Sequence, residues 1–108
     1  MAKYLFQGSY SSQGVEGLVE DGGSGRVAAA TAAVEPMGGS VEAFYFQFGR
    51  DDAVLLVDLP SNADAAALSL AVTATGMVKG RMTPLMAPAE IDEATEKVKG
   101  ATYRPPGG

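Results

Sequence analysis

Among its 108 residues the chain has no cysteine and no histidine. Without cysteine there are no disulfides, no thiolate catalysis and no cysteine-ligated metal, a usage that fits a reducing compartment. Without histidine the commonest general base and the commonest metal ligand are missing, and histidine-ligated haem is excluded. Positive charge is scarce too: eight Lys and Arg against thirteen Asp and Glu leave a net charge of −5 with the signs scattered. That gives no electrostatic footprint for nucleic acid. No apolar run approaches the roughly 20 residues that a membrane helix needs. Met1-Ala2-Lys3-Tyr4 leads straight into a strand-like run, with no signal-peptide core or cleavage site. The expectation is a soluble cytoplasmic protein with no cofactor, no metal site and no nucleic-acid or membrane partner.

What is present reads as one domain over residues 1–108, since 46% hydrophobic content with regular turn residues marks a globular chain. The most informative stretch runs from Ser40 to Pro60. Its two strands are joined by the polar turn Gly49-Arg50-Asp51-Asp52. Strand residues alternate between faces. Phe44, Phe46 and Phe48 therefore share one face, and Val41, Ala43 and Tyr45 the other. In the second strand Ala53, Leu55, Val57 and Leu59 oppose Val54 and Leu56. Both faces are apolar, so both need covering. Helices of this short chain cover one, and a second copy is expected on the other.

Around this hairpin the same logic places a first strand over residues 3–10, with Tyr4, Phe6, Gly8 and Tyr10 opposite Leu5, Gln7 and Ser9. Ser11 or Ser12 caps a helix. Gly22-Gly23-Ser24-Gly25 breaks it, because glycine costs about 1 kcal/mol in a helix interior. A second, alanine-rich piece runs from about Arg26 to Glu35 and stops at Pro36 and Gly38-Gly39. A third helix starts at Ser61 or Asn62 and ends at Gly76. A strand follows over Met77–Leu85, with Lys79, Arg81 and Thr83 alternating with Val78, Gly80 and Met82. Pro88 opens a last helix that Gly100 stops, and the Pro-rich tail is expected to lie extended over a surface. The order is that of an α+β, ferredoxin-like βαββαβ domain with an added C-terminal helix.

Four features carry candidate chemistry. Asp51-Asp52 is a paired carboxylate, which either raises its own pKa or binds a hard cation, or else serves the turn; turn chemistry is favoured, with Asp52 tying it down. Gly22-Gly23-Ser24-Gly25-Arg26 precedes a helical piece and offers free amides beside an arginine, but it lacks the ending of a phosphate-binding loop, and a helix break is favoured. Lys79, Arg81 and Thr83 share one strand face. They either line a cavity with Gln7, Ser9 and Glu42, next to Tyr10 or Tyr45, or protect a sheet edge. Met77, Met82 and Met86 read as core filling. The candidate ligand-binding residues are Arg26, Tyr45, Asp52, Lys79 and Arg81; no catalytic residue is assigned.

These residues resemble the GYD domain family of small dimeric α/β-barrel proteins. The likeness spans nearly the whole chain and is most specific at Phe48-Gly49-Arg50-Asp51-Asp52 running into Val54-Leu55-Leu56-Val57-Asp58-Leu59-Pro60. Gly22-Gly23-Ser24-Gly25-Arg26, Gly76-Met77-Val78 with Thr83, and Tyr103-Arg104-Pro105-Pro106 support it. The family shows a tyrosine just before the turn aspartate, where this chain has Asp51, so a role of that ring does not carry over. The resemblance implies the fold and a homodimer. The functional expectation is a homo-oligomeric binding or assembly module holding a small polar or anionic molecule. The alternative is a cofactor-independent enzyme of monooxygenase or isomerase type, which would have to work through Tyr, Arg, Asp or Glu.

Overall fold

The computed structural model describes all 108 residues. Strand β1 (Ala2–Tyr10) is followed by helix α1 (Ser12–Val34), a short 3₁₀ turn, strands β2 (Ser40–Phe46) and β3 (Ala53–Leu59), helix α2 (Asn62–Ala74), strand β4 (Val78–Pro84) and helix α3 (Pro88–Val98). The strands form one antiparallel sheet in the order β2-β3-β1-β4. This is the ferredoxin-like arrangement, with α1 and α2 on one face of the sheet.

The alternation of apolar residues decides which face the helices cover. Tyr4, Ala53, Leu55, Val57 and Leu59 are buried together with Val34 of α1 and Ala65 of α2. The Tyr4 hydroxyl donates to Asn62 Oδ1 at 2.6 Å, which satisfies its one polar group at the start of α2. On the opposite face Leu5, Val54 and Leu56 are half-buried and carry no covering element.

Helix starts follow their capping signals. Ser11 Oγ accepts from the Gly14 amide at 3.1 Å, and Ser61 Oγ accepts from the Asp64 amide at 3.3 Å. Pro88 opens α3, where Glu90 Oε1 accepts from the Ala87 amide at 2.9 Å and Glu93 pairs with Lys97 at 3.3 Å. The expected break in the first helix narrows to one residue, Gly22, whose φ of 73° and ψ of 168° interrupt an otherwise continuous run. Gly23, Ser24 and Gly25 are helical. The half of α1 after the kink is fixed by packing Ala30 and Val34 on the core, which outweighs the low helix propensity of two glycines. Gly23 also lies close to the Phe46 ring, so a small residue suits that contact.

Three expectations about facing and packing need correction. A bulge between Val41 and Ala43 reverses the alternation there, so Val41 pairs with Val57 on the helix side while Ala43 and Tyr45 keep to the open face. Phe48 lies beyond the end of β2 and is fully exposed instead of sharing the face of Phe44 and Phe46. Glu42, at the bulge, is bonded to Lys3 near the β2 edge, far from Lys79 and Arg81 on the opposite edge strand. The tail from Ala101 to Gly108 is exposed throughout.

The C-terminal arm gives the molecule its shape. Helix α3 buries no residue, and Ile91 and Val98 of its apolar stripe are exposed. The radius of gyration is 17.3 Å, with extents of 54 × 34 × 22 Å. A compact chain of about this length has a radius of about 13 Å.

Candidate functional site

The open face of the sheet is ordered in rows that cross all four strands. Tyr45, Val54, Gln7 and Arg81 form one row, and Ala43, Leu56, Leu5 and Thr83 the next. Its centre is apolar and its ends are polar. At one corner Lys3 bonds Glu42 and, at 3.0 Å, Asp58. Those two hydrogen bonds, Glu42 first, hold the Lys3 ammonium above its ordinary pKa.

The other polar corner is a shallow pocket of about 240 Å³ lined by Ser9, Arg50, Asp51, Lys79, Gly80 and Arg81. Asp51 anchors it. The β2–β3 turn tucks this side chain under the sheet edge, where the residue is 6% exposed. Arg81 grips it with both ends of its guanidinium, at 2.9 and 3.4 Å, and the Ser9 hydroxyl adds a contact at 3.3 Å. Gln7 Oε1 accepts from Arg81 at 3.2 Å and fixes the fork from the far side. The hydrogen bond from Arg81 lowers the Asp51 pKa against the opposing effect of burial, and Asp51 raises that of Arg81 in return. Asp51 is therefore a fixed negative charge at neutral pH.

Around that single carboxylate stand three cations, Arg50, Lys79 and Arg81. Only Arg81 is paired; Arg50 and Lys79 make no ion pair. The corner therefore carries an excess of positive charge in a chain whose net charge is −5. It is suited to a carboxylate or phosphate, which the exposed lysine and guanidinium groups can meet with charge-assisted hydrogen bonds. No group of three or more acidic side chains comes together to hold a metal ion.

Each candidate residue from the sequence has a definite place. Lys79 and Arg81 lie on the open face with Gln7 and Ser9, and β4 is also an edge strand. Tyr45 sits in the row of Arg81 but three strands away, about 14 Å at the usual spacing of about 4.8 Å. Its ring is 69% exposed in the single chain. Asp52 turns away from Asp51 and accepts the Tyr10 amide at 2.8 Å, while its own amide donates to Gly8 O at 2.8 Å. The two neighbouring carboxylates are thus not a functional pair, and Asp52 tethers the turn to β1. Arg26 belongs to α1 and lies across the sheet from Arg81, with Asp21 at 3.4 Å as its partner. Tyr10 is likewise on the helix side.

Asp51, weighed only as the partner of Asp52, and Arg50 were not among the candidate ligand-binding residues. Their signal was the unusual charge density of the Gly49-Arg50-Asp51-Asp52 turn, but its pairing with β4 depends on a strand order that local sequence does not express. No helix is long and apolar enough to cross a membrane. No curated protein and no solved structure matches the chain. The family model of the GYD domain matches residues 4–95, from the buried Tyr4 of β1 into α3, and the chain belongs to the GYD domain family.

Proposed function

We propose that this protein is a homo-oligomeric binding module whose open sheet face closes on a second copy and holds a small anionic molecule at the Lys79–Arg81 corner. The observation that carries the reading is the joint character of that face: an uncovered apolar centre of Leu5, Val54 and Leu56 beside a pocket with three cations and one carboxylate. The apolar centre favours association, because covering it removes water from hydrocarbon surface. The excess charge favours an anion. With a two-fold axis along the strands, Tyr45 of one copy comes over Arg81 of the other, so a ring closes each pocket.

The C-terminal arm supports the same reading. Helix α3 is well capped and amphipathic, yet only 11 residues long. Isolated helices shorter than about 12–15 residues are marginal in water. It needs a packing surface, its own chain supplies none, and the second copy is the occupant that assembly brings within reach.

A carboxylate whose pKa is raised toward neutrality would favour the enzymatic alternative. The one carboxylate with a resolved shift, Asp51, moves the other way. The test is a thermal-shift screen of small carboxylates and phosphates, combined with native mass spectrometry of protein purified from its own host. A binding module gives a dimer mass with retained ligand, and a melting temperature that rises with the matching anion by mass action. Lys79→Ala or Arg50→Ala should lose that response and remain dimeric. Anion responses that survive both substitutions would place the ligand elsewhere.

A further inference from the structure

We propose that the cleft between α1 and α2 is a second binding site, for a small aromatic carboxylate, with the ring in the cleft and the carboxylate on Arg26. This site lies across the sheet from the Lys79–Arg81 corner and is independent of it. Helix α1 packs chiefly on β2, and α2 on β4 and β3. Between them the middle of the sheet is left incompletely covered. Phe6 and Phe44 remain only half-buried there, on either side of the core residue Leu55.

The resulting cavity measures about 140 Å³. Phe6, Phe44 and Leu55 form its floor, and Ala30 and Leu68 stand on its two walls. The alanine side of α1 explains the space, since a larger side chain there would fill it. Fourteen of its fifteen lining residues are apolar, and Arg26 is the exception. Such a lining rejects a polar body, which would lose its hydrogen bonds to water. An apolar cavity of about 150 Å³ takes up benzene, so this volume suits one aromatic ring. It is too small for a helix, whose diameter is about 10 Å, which argues against a peptide segment or a second copy as occupant.

Arg26 supplies the charge complementarity. Its Nη1 reaches Asp21 Oδ2 at 3.4 Å, and the guanidinium makes no other hydrogen bond to a side chain. A guanidinium has five N–H donors in a planar fork, so most remain available to a carboxylate at the rim. The contact with Asp21 is long and part-exposed, which leaves it open to competition from a two-pronged carboxylate.

Calorimetric titration and thermal shift of the full chain with phenylacetate, and with 2-phenylethanol as its neutral analogue, test this. Phenylacetate should raise the melting temperature and bind at least tenfold more tightly than the alcohol. Arg26→Gln should abolish that preference. Ala30→Leu should block both molecules. In the parent protein, NMR cross-peaks between the phenylacetate ring and the Leu68 methyls should appear, which keeps the test independent of how the variants fold. Overturning results are equal affinity for acid and alcohol, no binding of either, ring cross-peaks to β4 residues of the open face, or loss of binding in Lys79→Ala. A change of oligomeric mass in Ala30→Leu would also overturn it, since a second copy would then be the occupant.

Discussion

Asp51 and Asp52 are neighbours in sequence with opposite duties. Asp52 holds the turn to the Tyr10 amide, and Asp51 holds Arg81 in place beneath the pocket. Because Arg81 lowers the folded-state pKa of Asp51, the contribution of this pair is complete above the ordinary aspartate value of about 3.9. It is lost as pH falls below that value and through the lowered one. Asp51→Asn should therefore flatten the acid limb of a melting-temperature profile between about pH 5 and pH 2 relative to the parent; parallel profiles would show that the pair contributes nothing. Tyr45 gives a second prediction at this scale. Its ring is largely exposed in one chain, so Tyr45→Ala should weaken dimerisation at least tenfold, read by sedimentation equilibrium, while the circular dichroism spectrum is unchanged. The sequence marked Lys79, Arg81 and Tyr45 as candidate ligand-binding residues. It did not reveal that Asp51 fixes Arg81, because that contact joins turn to edge strand across 30 residues.

At the scale of elements, most of the fold was legible because period-2 alternation and caps agree. Strand β3 alternates buried and half-buried positions at every residue, as its Ala-Val-Leu-Leu-Val-Asp-Leu pattern requires. Helix α3 begins at Pro88 and closes on its lysines, as its charges foretell. Where local reasoning failed, a tertiary cause is visible. The bulge at Glu42 shifted Val41 to the core, because Val41 packs there and Glu42 bonds Lys3. The glycine-rich break shrank to Gly22 because the rest of α1 is held by the core. Gly22→Ala should cost about 1–3 kcal/mol, as a side chain is poorly tolerated in this glycine region of backbone space. Gly39→Ala fails for a different reason: a Cβ there would lie 2.2 Å from the Asp58 carbonyl oxygen and 2.8 Å from Leu59. Chemical denaturation should show Gly39→Ala to be destabilised by roughly 1–3 kcal/mol, the range for overpacking. A neutral result would mean that β2 can shift along β3.

For the whole molecule, two surfaces stand without cover: the apolar centre of the sheet and the stripe of α3. A single chain leaves both in water and stretches to 54 Å. The apolar open face was legible in the doubly apolar β3, whereas the projecting arm was not, since a helix pattern says nothing about where the helix docks. A chain ending at Met86 should keep its sheet and melt cooperatively, because α3 buries nothing in its own chain. It should dimerise at least tenfold more weakly than the full chain. Equal dimer affinity would show that the arm serves no assembly role.

Sedimentation velocity at micromolar concentration tests the central claim. A permanent sheet-to-sheet interface commonly buries about 2,000 Å² or more in total. The full chain should sediment at twice the 11.0 kDa chain mass. Leu56→Arg, which places a charge in the middle of the open face, should sediment as a monomer. A folded, cooperatively melting parent monomer of 11.0 kDa at these concentrations would contradict the account.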